Sequence, residues 1–376
     1  MDFSLTDEQK LLRETVSRYV ASGYDFQAMR GKPVDDPLNV SQWRTFAELG
    51  WLALTVPEQD GGLGASLEDV ALFFEEIGRG LVCAPLLSTL LSAIIVSKAA
   101  ESPTRTEALE ALMGGEKKIA LALEEAGSRH DPAVLTTRAA QNGSAAITLN
   151  GRKIVVQDGA GADGFLVSAQ MPSKDGKAGV GILLVPANIE GVEIRRYRLI
   201  DGRDAADIGF ENVKLASESL IVPPAEGLSV LQDTLNRASI LLAAEALGAM
   251  EAAISITADY LRTRQQFRRP LSDFQVLTHR LSDMFVKAEH ARSMVYRGLS
   301  AMNGPQEGRD KAVSATMIAI MQAGDFVCGN AVQLHGGVGM ADENKIGHFY
   351  KRLRTIGKSY GDFNWHMDRY TRQLTA

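Results

Sequence analysis

Cysteine is scarce in this chain, which has only two among its 376 residues. Cys83 and Cys328 are far apart in apolar surroundings, so they form neither a disulfide framework nor a C-x-x-C metal motif. The six histidines do not have the spacing of zinc ligands, and the H-E-x-x-H motif is missing. The scarcity of thiols predicts a reducing compartment, and hence a cytoplasmic localisation, and the missing motifs predict that no metal is bound.

An excess of basic residues is also missing, because 46 acidic residues outnumber 40 basic ones and the net charge is −6. Nucleic-acid binding needs a basic surface, so no nucleic-acid partner is expected. The charged N-terminus MDFSLTDEQKLL predicts that there is no signal peptide. The longest apolar run, from Leu81 to Val96, is shorter than the ~20 residues that cross a bilayer, so no membrane partner is expected.

Motifs of several enzyme classes are missing or stand in the wrong context. Residues 159–164 match G-x-G-x-x-G, but a strand-like segment follows them, whereas dinucleotide binding of that type needs a helix there. A turn between two strands is therefore the better interpretation. The chain also lacks G-x-S-x-G and a Walker loop, which disfavours serine hydrolases and P-loop NTPases.

What is present is a change of hydrophobic period along the chain. Helical spacing runs through the first part, short β-rich segments separated by turn residues follow, and long breaker-free helical segments at 228–265, 271–302 and 308–334 end the chain. This pattern predicts an α+β fold with an N-terminal α-helical domain, a middle antiparallel β-barrel or sandwich and a C-terminal helical bundle. The predicted domains are 1–116, 117–222 and 223–376.

One carboxylate stands out in the last of these domains. Glu245 is flanked at helical spacing by apolar and small residues, among them Leu241, Gly248 and Ala249. Burial raises the pKa of a carboxylate and suits it to act as a general base, and small neighbours leave room for a flat ligand or another backbone. An ion pair with an arginine on an adjacent helix is the alternative that the residues leave open.

Three short segments carry further signals. Four arginines lie between residues 262 and 269, where they can form a solvated helix end or bind a diphosphate, beside the aromatic ring of Phe267. Residues 333–340 read QLHGGVGM, and the three closely spaced glycines permit a close approach to a ligand. Residues 359–362, reading SYGD, form a loop or helix cap before the last helix.

In this order, these features resemble the acyl-CoA dehydrogenase family. The likeness covers essentially the whole chain, from MDFSLTDEQKLLRETV and VPEQDGGLG through LNGRKIVVQDGAGADGFLV and DGRDAADIGFENVKL to the R-x-x-F of Arg264 and Phe267. The resemblance implies a C-terminal four-helix bundle, FAD held between β-domain and bundle, and α,β-desaturation of an acyl-CoA in fatty-acid or steroid side-chain catabolism (β-oxidation). It also implies an electron-transfer flavoprotein as electron acceptor.

The resemblance further assigns FAD contacts to particular residues of this sequence. Some lie on the side that meets a neighbouring subunit, namely Arg264, Phe267, Gln275, Gln333, Gly336 and Gly337. Others belong to the β-domain and face the flavin, namely Leu123, Val155 and Gln157. A homotetramer or a heterotetramer with a paralogous chain follows from such shared sites.

Several positions depart from the family pattern. Most members carry a glutamate base in a Y-E-G loop, where this chain has Tyr360, Gly361 and Asp362. Other members place the base on the first helix of the bundle, so Glu245 is the predicted catalytic base and Asp362 the alternative. In the β-domain, Val155 to Gln157 replace the usual Trp and Ser/Thr, and Arg268 replaces a usual Gly.

This altered pattern resembles the smaller partners of two-subunit acyl-CoA dehydrogenases, which act on dicarboxylyl and steroid side-chain CoA esters. Three hypotheses therefore stand together. The chain is a catalytic FAD-dependent acyl-CoA dehydrogenase, or a non-catalytic partner that completes the FAD site of a paralogous chain, or a flavin monooxygenase built on the same fold.

Overall fold

The chain folds into two compact units, each built from segments that are far apart in the sequence. The first unit contains Met1–Arg30, Leu67–Val82 and Ser239–Ala376, and the second contains Gly31–Ser66 and Cys83–Ala238. The N-terminal helical region therefore contributes to both units, and the three predicted domain boundaries stay a prediction. This computed structural model describes residues 4–33, 35–142, 146–173, 176 and 178–374.

The helices occupy both ends of the chain, as the hydrophobic period predicted. The described residues form α1 (Asp7–Ser22), α2 (Phe26–Met29), α3 (Pro37–Glu48), α4 (Leu67–Gly80), α5 (Leu86–Ser97), α6 (Pro103–Met113), α7 (Gly227–Thr263), α8 (Gln275–Ala301), α9 (Gln306–His335), α10 (Lys345–Ile356) and α11 (Phe363–Arg372). The three long helices of the C-terminal part agree with the predicted segments to within a few residues, because few breakers interrupt them.

Local capping explains where several helices begin. At α1, the backbone N–H of Gln9 donates to the Thr6 hydroxyl, and the backbone N–H of Thr6 donates to the Gln9 side chain, which is a capping box. Asp36 caps α3 ahead of Pro37 at the first helical position, and Asn344 caps α10.

Strands fill the middle of the chain and belong to the second unit, apart from a short hairpin. They are β1 (Ile119–Ala122), β2 (Arg138–Asn142), β3 (Ala146–Gln157), β4 (Gly164–Pro172), β5 (Ala178–Pro186), β6 (Val192–Arg198), β7 (Asp204–Ala216), β8 (Leu220–Val222), β9 (Gln265–Gln266) and β10 (Arg269–Pro270). β9 and β10 form the hairpin, which lies in the first unit.

The large sheet has the strand order β6-β7-β3-β2-β4-β5-β8, with β1 paired to β4. Most neighbours are antiparallel, as predicted, but β1 and β2 each pair with β4 in parallel. A parallel pair needs a long connection that returns to the starting end of the sheet. For β1 and β4 the intervening strands β2 and β3 provide that length. Apolar side chains of alternating positions form the buried core of this unit, including Leu149, Phe165, Val167, Leu183 and Ile208.

Two helices, α7 and α9, are long and apolar enough to cross a membrane by length and composition alone. The apolar stretch of each is mostly buried within the protein. Core helices of globular proteins share these properties, so the two helices are weak evidence for a membrane span.

Candidate active site

Glu245, the predicted base on α7, forms a buried ion pair with Arg352 on α10. The Arg352 Nε and Nη2 atoms donate to the two carboxylate oxygens of Glu245, each at 2.7 Å. The two side chains are only 1% and 4% exposed. Both oxygens thus bond to a fixed guanidinium, which is the ion pair that the sequence left open as the alternative. The role of Glu245 as an α-proton base stays a prediction.

The small residues around Glu245 accommodate another backbone. A Cβ atom added at Gly78 on α4 would overlap the Glu245 carbonyl oxygen, and one added at Gly248 on α7 would overlap the Glu75 carbonyl oxygen. The two glycines therefore let α4 and α7 touch backbone to backbone. The sequence suggested that this space holds either a flat ligand or another backbone. At these two positions it is filled by the backbone of the packed helix.

Charged residues surround this helix contact within the first unit. Arg79 donates to Glu251 at 2.6 Å and to Glu75 at 3.2 Å, and Arg292 forms ion pairs with both of these glutamates. Arg13 on α1 donates to Glu76 at 3.1 Å. The network compensates acidic groups that are mostly buried, since the Glu75 and Glu76 side chains are 7% and 3% exposed.

Asp362, the alternative base, is the N-cap residue of α11. Its carboxylate accepts a hydrogen bond from the Trp365 backbone N–H at 2.9 Å and lies 3.4 Å from the Lys358 ammonium. The residue before it, Gly361, has φ of +139°. A Cβ there would lie 2.7 Å from a Trp365 ring carbon and 2.8 Å from a His366 ring nitrogen. A side chain at position 361, which matches the usual family base, would not fit without a shift of these rings. The role of Asp362 stays a prediction.

The arginine-rich segment forms the β9–β10 hairpin, whose two turn residues are Phe267 and Arg268. Gln266 pairs with Arg269 across the hairpin. The Phe267 side chain is 85% exposed, although an aromatic residue of this size is normally buried. Phe274 supports the hairpin, because the Phe267 ring meets it edge-on at 6.1 Å and the Arg269 guanidinium lies 4.0 Å above it.

The QLHGG segment lies beside the start of this hairpin in the first unit. The ring of His335, at the end of α9, stacks on Tyr260 of α7 with centroids 4.3 Å apart, and the Tyr260 hydroxyl donates to the His335 carbonyl at 3.4 Å. The Arg264 backbone N–H in turn donates to the Tyr260 carbonyl at 2.8 Å. A Cβ added at Gly336 or Gly337 would meet no atom within 4 Å among the described residues. The structure therefore joins the two predicted neighbour-facing segments through Tyr260.

The predicted FAD contacts of the first unit are all exposed. Gln275 is the first residue of α8 and directly follows the hairpin segment, and Gln333 lies in the last turn of α9. This exposed set consists of Arg264, Phe267, Gln275, Gln333, Gly336 and Gly337. Guanidinium, aromatic and open glycine backbone groups suit the diphosphate and ring system of FAD. Their contact with FAD stays a prediction.

In the second unit, Val155 occupies a strained bulge of β3. Its φ is +48°, which is costly for a β-branched residue, and the β3–β7 register shifts between Lys153 and Val156. The Val155 N–H lies 3.1 Å from the Tyr197 hydroxyl and 3.2 Å from Asp207, and the Tyr197 hydroxyl donates to Asp207 at 2.8 Å. These bonds hold a half-exposed apolar side chain at the position that the resemblance assigns to the flavin.

Burial and the Asp207 carboxylate raise the pKa of Tyr197 to about 12, so this hydroxyl stays protonated and keeps its bond to Asp207 at neutral pH. The neighbouring segment is tied to the same bulge, because the Ile154 N–H donates to the Glu124 carbonyl at 2.9 Å. Of the other two predicted residues of this unit, Leu123 is buried, and Gln157 ends β3 opposite Ala205.

A buried ion pair that the sequence analysis missed lies next to Leu123. The Lys153 ammonium donates to Glu125 at 2.7 Å, to the Leu123 carbonyl at 3.2 Å and to the Ser168 hydroxyl at 2.9 Å. The Glu125 and Lys153 side chains are 2% and 0% exposed. The signal for it was present, since Lys153 stands at an inward-facing position of β3, where a charge requires a partner.

The two charges of this pair influence each other. Burial by itself would raise the pKa of Glu125, but the charge and hydrogen bond of Lys153, together with the bonds from Thr136, lower it to about 2. Burial lowers the pKa of Lys153 to about 8, although the Glu125 charge acts in the opposite direction. Both groups are therefore charged at neutral pH, and the pair fixes the start of the segment that the resemblance assigns to the flavin.

No group of three or more His, Cys, Asp or Glu side chains among the described residues is arranged to hold a metal ion. The Cys328 thiol is buried, which raises its pKa.

Three family models match successive parts of the chain. The acyl-CoA dehydrogenase N-terminal domain matches residues 6–116, the middle domain matches residues 120–213, and the C-terminal domain matches residues 225–374. Together they span nearly the whole sequence in the order that the sequence analysis predicted.

Individual relatives agree with the family models. An acyl-CoA dehydrogenase of Bacillus subtilis is 30% identical over 303 residues, which cover 77% of this chain and 78% of the relative. The CarC subunit of the caffeyl-CoA reductase-Etf complex of Acetobacterium woodii is 27% identical over 317 residues, covering 82% and 83%. Among solved structures, a variant of the Tcur3481-Tcur3483 steroid ACAD has a TM-score of 0.85 at 28% identity, covering 98% of both chains. The chain therefore belongs to the acyl-CoA dehydrogenase family, whose members are FAD-dependent oxidoreductases acting on CH–CH donors.

Proposed function

We propose that this chain is the subunit of a heteromeric acyl-CoA dehydrogenase that completes the FAD site of a paralogous chain. The observation that carries the proposal is the exposed hairpin segment, in which the Phe267 side chain is 85% exposed and Arg264 is exposed as well. An exposed aromatic ring in an arginine-rich segment is typical of a contact surface rather than of a core.

The carboxylates support the same assignment. A base for the α-proton needs an oxygen lone pair that faces the substrate. Glu245 bonds through both oxygens to Arg352, Asp362 caps α11, and position 361 is a glycine. The α-proton base of the assembly therefore comes from the paralogous chain in this proposal.

The chain's own residues bind and orient in this scheme. The Arg264 guanidinium would bind the anionic diphosphate of FAD, and the Phe267 ring would pack against an apolar part of the cofactor. Gly336 and Gly337 admit the cofactor close to the backbone. When bound, FAD supplies the two-electron acceptor for the β-hydride of the acyl-CoA.

Two relatives support the choice of partners. The name of the Tcur3481-Tcur3483 steroid ACAD joins two proteins, which supports a heteromeric assembly and a steroid side-chain CoA ester as substrate class. The name of CarC places it in a complex with Etf, which supports an electron-transfer flavoprotein as the acceptor of this chain too. A heterotetramer with a paralogous subunit is accordingly the assembly that we propose.

The test compares the flavin content of the chain purified alone and after co-expression with a paralogous acyl-CoA dehydrogenase chain. We expect little visible flavin absorption for the chain alone and a near-stoichiometric content for the co-purified complex. Arg264→Gln should lower the flavin content of the complex severalfold, because it removes a charged hydrogen-bond donor. Arg262→Gln is the matched control, since Arg262 already pairs with Asp259 at 2.7 Å. A fully flavin-loaded chain that oxidises acyl-CoA by itself would contradict the proposal.

The competing candidate is a homotetramer that catalyses the reaction itself with Glu245 as base. The near-complete burial of Glu245 is the observation in its favour, because exclusion of water favours a general base, whereas the bonds of both its oxygens to Arg352 stand against it. Activity of the chain alone, lost in Glu245→Gln but kept in Asp362→Asn, would favour this candidate.

A further inference from the structure

The turn of the β9–β10 hairpin holds two residues in a backbone conformation that side chains rarely adopt. Phe267 has φ of +52° and Arg268 has φ of +67°. Two consecutive residues with positive φ form the two-residue turn that favours Asn and Gly, and a glycine adopts it without a steric penalty. Arg268 therefore keeps its side chain at a conformational cost, and such a cost is characteristic of a functional position.

The four arginines of this segment differ in their contacts. Arg262 pairs with Asp259 at 2.7 Å, and Arg269 lies over the Phe274 ring at 4.0 Å. The guanidinium groups of Arg264 and Arg268 form no hydrogen bond or ion pair with any residue that the structure describes, and both residues are exposed. Two exposed arginines without an acidic partner among the described residues thus flank Phe267 in the sequence.

We propose that Arg268 is a second anion-binding residue and that it binds, together with Arg264, the diphosphate of a dinucleotide held by the neighbouring chain. This inference rests on the proposed function. A diphosphate carries two adjacent negative charges, and a pair of guanidinium groups matches them in charge and in hydrogen-bond geometry. This role explains why position 268 carries an arginine despite its positive φ, since glycine would adopt the turn without strain but would provide no charge.

The first test is Arg268→Gly, measured in the flavin-free chain and in the complex. The variant relieves the positive φ, so we expect the flavin-free chain that carries it to unfold at a temperature equal to or higher than that of the flavin-free parent. In contrast, we expect the dissociation constant for FAD to rise about tenfold, since a charge-assisted hydrogen bond is lost. A structural role alone cannot give this combination of unchanged or raised stability and weaker binding.

Salt and a competing anion identify the diphosphate as the ligand. The affinity difference between the parent and Arg268→Gly should shrink as the ionic strength rises, because salt screens exposed charges. Inorganic diphosphate should compete with FAD severalfold less well in the variant than in the parent. Arg262→Gln is the control with a similar location and should change neither measurement.

The outcomes separate this inference from the proposed function. If the parent complex binds FAD and the Arg268→Gly complex binds it equally tightly, Arg268 does not contribute to FAD binding and the inference is wrong. If the variant binds FAD more weakly than the parent but shows the same salt dependence and the same competition by diphosphate, the loss is a packing effect. This result also contradicts the inference. If no assembly of the chain binds FAD, the proposed function fails, and the inference fails with it.

Discussion

At the scale of single residues, the Glu245–Arg352 pair is a buried ion pair of the first unit in which both carboxylate oxygens are bonded. Removing one partner of a buried pair leaves the other charge without compensation, which costs about 3–5 kcal/mol. We expect Glu245→Gln to lower the free energy of unfolding by an amount of this order, as measured by denaturant titration. The double variant Glu245→Gln with Arg352→Met should lose clearly less than the sum of the single variants.

The outcome also bears on catalysis. If Glu245→Gln keeps its stability within about 1 kcal/mol and loses activity, Glu245 is a base rather than a structural partner. If the variant loses stability and keeps full activity in its assembly, the base lies elsewhere.

The Glu125–Lys153 pair gives the second unit a dependence on pH. The folded-state pKa of Glu125, about 2, lies below its ordinary value of 4.5. The carboxylate therefore stabilises the fold above about pH 4.5, and this contribution, on the order of 3 kcal/mol, is lost as the pH falls toward 2. Unfolding free energies measured across this range should fall more steeply in the parent than in a Glu125→Gln, Lys153→Met double variant. Equal slopes would contradict this assignment.

Candidate site residues that share one short motif were the easiest to find from the sequence. Arg264 and Phe267 lie in one short motif, and the hairpin keeps them together. The partner of Glu245 is 107 residues away, so apolar neighbours at helical spacing indicated its burial but not Arg352. The positive φ of Val155 follows from the bulge between β3 and β7, and such a register shift has no local signal in the sequence.

At the scale of elements, the contact between α4 and α7 depends on two glycines. Gly78→Ala would force a methyl group into the Glu245 carbonyl oxygen, so the helices must separate. We expect a loss of about 3 kcal/mol or more in the free energy of unfolding, measured by denaturant titration. The matched control is Gly329→Ala on α9, where an added Cβ would meet no described atom within 4 Å. This substitution should stabilise the helix by up to ~1 kcal/mol, because alanine has a higher helix propensity than glycine. Equal effects of the two variants would be inconsistent with a tight helix contact.

The bounds of the three long C-terminal helices followed from the hydrophobic period to within a few residues, because long breaker-free segments have a strong local signal. The β-rich runs located the strands in the middle of the chain. Strand pairing was harder to predict. The parallel pairs of β1 and β2 with β4 depend on contacts between segments that are remote in the sequence, so only the antiparallel majority was anticipated.

At the scale of the whole molecule, the net charge of −6 conceals a local basic surface. The hairpin segment presents Arg264 and Arg268 without an acidic partner among the described residues. The net charge argued against general nucleic-acid affinity but said nothing about a discrete anionic ligand. In the proposed assembly, this surface is the one that would bind the phosphate groups of a dinucleotide on the neighbouring chain.

The interleaved order of segments has a consequence for synthesis in the cell. The Gln27 side chain donates to the Glu343 carbonyl at 2.8 Å, and Arg30 pairs with Asp342 at 2.6 Å, across more than three hundred residues. The start of the chain therefore leaves the ribosome long before these partners exist. During translation α2 lacks these partners, so its apolar side stays accessible to chaperones until the last helices emerge.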